Sequence, residues 1–138
     1  MRYMLDTNIC IYLINAHPPQ VVQRFKTATL GQVVMSVVTY AELCHGVERC
    51  VGADRTQAAN SLARLIGRVP VVGFESSAAE SYGVLAVAVR DRRRDAMDRL
   101  IAAHALSLGL TLVTNNEADF QDYPGLSVEN WVAATGSP

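Results

Sequence analysis

The chain has 138 residues, 50% hydrophobic and 18% charged, with a formal net charge of −1. That is enough apolar content for one folded domain with its own core, and it excludes a disordered tail or linker. A charge so close to neutral excludes nucleic-acid binding driven by bulk charge, so any such contact must come from a local patch.

In chain order, Tyr3, Met4 and Leu5 form an apolar run that reads as a strand ending at Asp6. Asp6 interrupts the N-terminal run almost at once, which argues against a signal peptide, and no stretch is long and apolar enough to span a bilayer. A helix follows to about residue 15, with Thr7 or Asn8 available to cap it. His17, Pro18 and Pro19 stop it, because proline cannot continue a helix and restricts the residue before it. A second helix is expected over 20–28, then a short buried strand over 33–36. Thr39-Tyr40-Ala41-Glu42 opens a helix to about residue 50, and another covers 55–67. A strand near 69–73 is followed by a long helical pattern over 77–92. The next helix covers 95–109, with Gly109 as its stop. A buried strand over 110–114, a helical turn over 116–120 and an edge strand within 126–130 complete the pattern. Short apolar strands alternating with helices predict an α/β fold: a mostly parallel sheet of four to five strands with helices on both faces. Such sheets collect ligands beyond the carboxyl ends of their strands, and Asp6 and Asn116 both fall at such ends. The cysteines, Cys10, Cys44 and Cys50, are odd in number and sit in helical patterns. They read as reduced thiols in a cytoplasmic protein, with a zinc site disfavoured.

Each acid has a bland and a functional reading. Asp6 can cap the first helix, but Thr7 and Asn8 can already do so, which favours function for Asp6. Thr39-x-x-Glu42 has the spacing of a capping box, in which the glutamate bonds back to the Thr39 amide; spacing alone favours that cap. Asp98 shares a helix face with Ala102 and Ala105, which invites a close contact, whereas the bland reading is a surface pair with Arg94. Asp119 can be a solvated acid at a helix start, and Glu117 fits that description too. The histidines, His17, His45 and His104, have no evident catalytic companion, and His104 reads as a packing residue. Tyr40 and Tyr82 read as core residues before they read as base-stacking platforms.

Jointly the acids make a stronger pattern. The stretches "MLDTNICIYLI", "SVVTYAELCHGVE", "DRLIAAHALSLGLTLVTNN" and "ADF" occur in the order of a PIN domain. Over almost the whole chain they resemble the VapC ribonuclease toxins of bacterial toxin–antitoxin pairs. The resemblance implies a single PIN domain over 1–138 with Asp6, Glu42 and Asp98 as its acidic core. It places the fourth acid in Thr114-Asn115-Asn116-Glu117-Ala118-Asp119-Phe120. Many PIN domains carry aspartate where this chain has Asn116, so Asp119 supplies the fourth carboxylate or the second metal position is weak. Thr7 and Thr114 are expected to support the acids through their hydroxyls. The segment 91–95 departs from the glycine- and proline-containing loop of many relatives.

The implied chemistry is endoribonuclease cleavage assisted by Mg²⁺ or Mn²⁺. Asp6 and Asp98 hold the metal, and the products carry 5′-phosphate and 3′-hydroxyl ends. Arg92, Arg93, Arg94 and Arg99, with Arg90, cluster around Asp98. They read equally as RNA phosphate contacts or as a solvated helix end. The implied partners are an RNA substrate, a VapB-type antitoxin reaching a basic side chain among the acids, and a second copy of the chain. Antitoxin contacts are expected on apolar helix faces near 9–14 and 40–65, and a membrane is not among the partners. The main alternative is a catalytically silent PIN-like module that binds RNA or protein, suggested by Asn116. A phosphotransferase using Asp6 as nucleophile is disfavoured by Asn8 at the place of a second aspartate. A metal-dependent DNA nuclease would use the same acids.

Overall fold

Five short parallel strands pair side by side in a computed structural model that describes residues 1–28, 31–90 and 96–132. They are β1 (Tyr3–Leu5), β2 (Val33–Ser36), β3 (Val71–Val72), β4 (Thr111–Val113) and β5 (Val128–Glu129). Six helices connect them: α1 (Thr7–Asn15), α2 (Pro19–Thr27), α3 (Val37–Glu48), α4 (Gly52–Ile66), α5 (Ser76–Ala88) and α6 (Ala96–Ser107). A 3₁₀ turn covers Glu117–Asp119. The expected α/β architecture is therefore observed, with strand order β3-β2-β1-β4-β5.

The central strands β1, β2 and β4 are buried on both sides, which is why they read as unbroken apolar runs rather than as alternating patterns; the edge strands β3 and β5 are only partly buried. Tyr3, Leu5, Val33, Met35 and Val113 face a core shared with residues of α1 to α4 and Trp131. Met4, Val34 and Leu112 face the opposite core, built with α5, α6, Phe120 and Tyr123. α6 carries five consecutive buried residues, Ile101 to Ala105, as a helix enclosed on all sides requires. Gly109 ends the chain's turn out of α6 with φ +68°, a conformation that favours glycine. The Gly109 amide then donates to the Leu106 carbonyl at 3.1 Å and the Leu110 amide to Ala105 at 2.9 Å.

Several helix limits differ from expectation; α4, for one, starts at Gly52 rather than near 55. α3 starts at Val37, ahead of Thr39, because the Ser36 hydroxyl accepts from the Val38 amide at 3.0 Å and caps it. α5 ends at Ala88 rather than near 92, because Val89 leaves helical geometry at φ −118° and ψ 29°.

The strand order positions the site. The chain runs outward from β1 to β2 and β3, then returns to the other side of β1 for β4 and β5. The carboxyl ends of β1 and β4 therefore flank the point where the winding reverses, with Leu5 opposite Val113 in register. Asp6 and Thr114 are the next residues on those two strands.

Candidate active site

Asp6 is held at this reversal point from several directions. Its amide donates to the Val113 carbonyl at 3.0 Å. Its carboxylate accepts from the Ile9 amide at 3.0 Å and so caps α1. This corrects the expectation that Thr7 or Asn8 would cap the helix; Asp6 is both cap and buried acid. The Thr114 hydroxyl and the Asn8 amide also donate to the Asp6 carboxylate. The residue is only 5% exposed. Burial pushes its pKa up to about 6, and the neighbouring Glu42 charge adds to the rise against those hydrogen bonds.

Glu42 does not close a capping box. Ser36 already caps α3, so Thr39 lies within the helix, buried. The Glu42 carboxylate instead accepts from the Thr7 hydroxyl on α1. Thr7 also stands 3.4 Å from the Thr39 hydroxyl. Thr7 thus meets Glu42 through its hydroxyl, and Thr114 meets Asp6.

Thr114 does a second job. Its hydroxyl oxygen accepts from the Asn116 amide at 3.0 Å, which folds the chain after β4. Asn116 then donates from Nδ2 to Asp119 Oδ2 at 2.6 Å. The two candidates for the fourth position are therefore bonded to each other, and Thr114 joins both to Asp6. Asn115 carries a contact that the sequence did not suggest: its Nδ2 donates to the Tyr12 hydroxyl at 2.9 Å, tying this loop to α1.

Asp98 is half-buried in the first turn of α6. Its neighbour Met97 lines the same groove as Thr7 and Glu42. Among the described residues, no three histidine, cysteine, aspartate or glutamate side chains lie close enough together to hold a metal ion. Asp6 and Glu42 interact as a pair, and Asp98 does not complete a three-acid cluster with them. Arg99 is also placed differently from a phosphate contact facing solvent: its guanidinium bonds the Tyr82 and Tyr123 hydroxyls. Arg92, Arg93 and Arg94 lie outside the described residues. Tyr40 and Tyr82 pack against the two cores, as expected.

The groove beside the acids has a volume of about 740 Å³. Ile11 and Ile14 of α1, Leu43 and Val47 of α3 and Leu62 of α4 give it an apolar lining, with Glu42 among its polar residues.

The PIN domain family model matches residues 3–126. The chain belongs to the PIN-domain family. Within that family its relatives are VapC proteins. It is 35% identical to the tRNA(fMet)-specific endonuclease VapC of Shigella flexneri over 133 residues, 95% of this chain and 98% of the relative. It is 34% identical to ribonuclease VapC2 of Rickettsia felis, again over 95% of this chain and 98% of the relative. Its fold matches the solved VapBC-1 structure from nontypeable Haemophilus influenzae with a TM-score of 0.85 at 34% identity, covering 96% and 99% of the two chains. Among the described residues, no helix of this PIN domain is long and apolar enough to cross a membrane.

Proposed function

We infer that this PIN domain is the endoribonuclease toxin of a VapBC-type toxin–antitoxin pair, held in check by a VapB-type antitoxin. The observation that carries the chemistry is Asp6. A carboxylate 5% exposed, beside a second carboxylate, with a pKa near 6, is costly for folding alone. A hard divalent cation bound there would reverse both penalties, and the oxygen-only donor set suits Mg²⁺ or Mn²⁺. Among the described residues no three acids are gathered to hold it; Asp6 and Asp98 are the two carboxylates that would do so, with Glu42 beside Asp6 and Asp119 bonded to Asn116. When bound, such a cation lowers the pKa of water and stabilises charge on the leaving oxygen.

The chain's own residues do the rest. Thr114 and the Ile9 amide orient the Asp6 carboxylate, so its geometry is set before substrate arrives. Thr7 fixes one oxygen of Glu42. The Asn116 amide orients Asp119, which keeps a carboxylate at the fourth position although residue 116 itself is neutral. None of these roles needs an imidazole base, and His104 is accordingly buried. The products expected are 5′-phosphate and 3′-hydroxyl ends.

The 740 Å³ groove suits the antitoxin. Its apolar lining fits an amphipathic segment, and Glu42 offers a carboxylate to a basic side chain on that segment. The groove draws on α1, α3 and α4, the regions expected from the sequence. A homodimer of this chain, itself bound to antitoxin, is the expected assembly.

The test is cleavage by purified protein. Wild-type chain with Mg²⁺ or Mn²⁺ should cut RNA in preference to single-stranded DNA; chelator and Asp98→Asn should each abolish cutting. Mapping cellular 5′ ends after induction of wild type and of Asp6→Ala would then identify the RNA. Identical maps would remove the ribonuclease reading and leave a silent binding module.

A further inference from the structure

Glu42 and Asp98 ride on different helices, and each stands six residues from a polar residue buried between those helices. Ser36, six before Glu42, is 0% exposed; His104, six after Asp98, is 1% exposed. His104 Nδ1 lies 2.7 Å from Ser36 Oγ. That oxygen already accepts from the Val38 amide at 3.0 Å. The serine proton is then available to Nδ1, the arrangement that leaves the other ring nitrogen protonated toward the Gly73 backbone. This tautomer follows from the hydrogen-bond pattern. Nε2 carries the proton and faces the Gly73 backbone without closing a well-formed bond. Phe74 covers the ring edge-on at 5.2 Å between centroids. Burial lowers the imidazole pKa, against the opposing Gly73 backbone and Glu75 charge.

We propose that Ser36 and His104 are a positioning pair, in which one buried hydrogen bond from the start of α3 to the middle of α6 sets where Asp98 stands relative to Glu42. The pair touches neither substrate nor metal. It rests on the proposed function, in which Asp98 would join Asp6 at a divalent cation with Glu42 beside Asp6. Its logic is that α6 is enclosed by apolar and alanine packing, which has little directional preference; a hydrogen bond does, and it fixes the helix against sliding or turning. The same oxygen caps α3, so one atom references both helices to the end of β2.

Three variants test this. Ser36→Gly keeps a tolerated cap but removes the hydroxyl. His104→Phe fills the ring's space without an acceptor. Ser36→Thr keeps the hydroxyl and serves as the rescue. In Ser36→Gly and His104→Phe, the Mn²⁺ dissociation constant should rise about tenfold, the range for residues that orient metal ligands. kcat should fall while KM for RNA stays within about twofold. The double variant should be no worse than either single one, because both remove the same bond. In the metal-free protein, the ¹³C carboxyl resonances of Glu42 and Asp98 should move in Ser36→Gly and His104→Phe and return in Ser36→Thr. Folded variants with unchanged Mn²⁺ affinity and unchanged carboxyl resonances would overturn the pair, as would fully additive losses in the double variant. If His104→Phe does not fold, Ser36→Gly decides alone. If the wild type neither binds Mn²⁺ nor cuts RNA, the ribonuclease reading fails, and the metal-free resonances still decide whether the pair positions the acids.

Discussion

Two carboxylates stand at the same end of this sheet in opposite circumstances. Glu129 ends β5 and is paired with the Arg24 guanidinium and the Trp131 indole N–H, the latter at 2.9 Å. Arg24 in turn lies over the Trp131 ring, 5.5 Å from its centroid. Asp6 follows β1, two strands away, with amides and a hydroxyl as donors and Glu42 as its charged neighbour. Glu129 is a carboxylate whose charge the fold has answered. Asp6 is one whose charge the fold has left for something else to answer. Acid content alone does not mark an active site; the balance of charge around a buried acid does.

That contrast can be broken most directly at Asp6. Asp6→Asn keeps a side chain able to cap α1 and removes the charge. RNA cleavage should fall by about 10³-fold or more, the equivalent of roughly 4 kcal/mol of transition-state stabilisation. Stability of the metal-free protein should move the other way. The folded pKa is raised, so the native state holds its proton more tightly than the unfolded chain does. The Asp6 contribution to stability is therefore fully present below pH 3.8 and is lost as pH rises through about 6. Above that window the cost reaches about 3 kcal/mol, from a shift of about two pKa units at roughly 1.4 kcal/mol each. Urea denaturation at pH 8 should show Asp6→Asn more stable than wild type by up to that amount, with the difference vanishing near pH 3.5. A less stable Asp6→Asn at pH 8 would mean that Asp6 is an ordinary structural acid like Glu129.

Thr114→Val gives a smaller effect of known sign. It removes the hydroxyl that favours ionised Asp6, so the Asp6 pKa should climb further. The acid limb of the kcat/KM profile should move to higher pH, and stability should drop by about 1 kcal/mol from the lost hydrogen bonds. An unmoved acid limb would show that Thr114 acts on the loop through Asn116 alone. The smallest effect is expected at the satisfied acid. Glu129→Gln should cost about 0.2–1 kcal/mol, as for other partly exposed ion pairs, and leave RNA cleavage intact. Loss of cleavage there would erase the distinction between the two carboxylates.

Much of the site was legible before any coordinates. The unbroken apolar runs located the strands, Gly109 located the end of α6, and an acid directly after β1 pointed to the ligand-bearing edge of a parallel sheet. The misreadings were all competitions between local partners. Thr39 and Glu42 have capping-box spacing, but Ser36 sits three residues earlier and takes the cap; a serine closing a strand was the signal available. For Arg99 the sequence left RNA contact and a solvated helix end equally open, and it could not show the bonds to Tyr82 and Tyr123, distant in sequence.

By itself, then, the sequence determined the layers of the fold and the strand ends, because each of these depends on patterns within one turn or one strand. The tertiary structure alone decided which polar groups meet: Thr7 and Glu42 across 35 residues, Asn115 and Tyr12 across 103 and His104 and Ser36 across 68. Those partners meet only after the sheet is ordered and the helices are packed, and a hydrogen bond reaches about 3 Å regardless of how much chain lies between its ends.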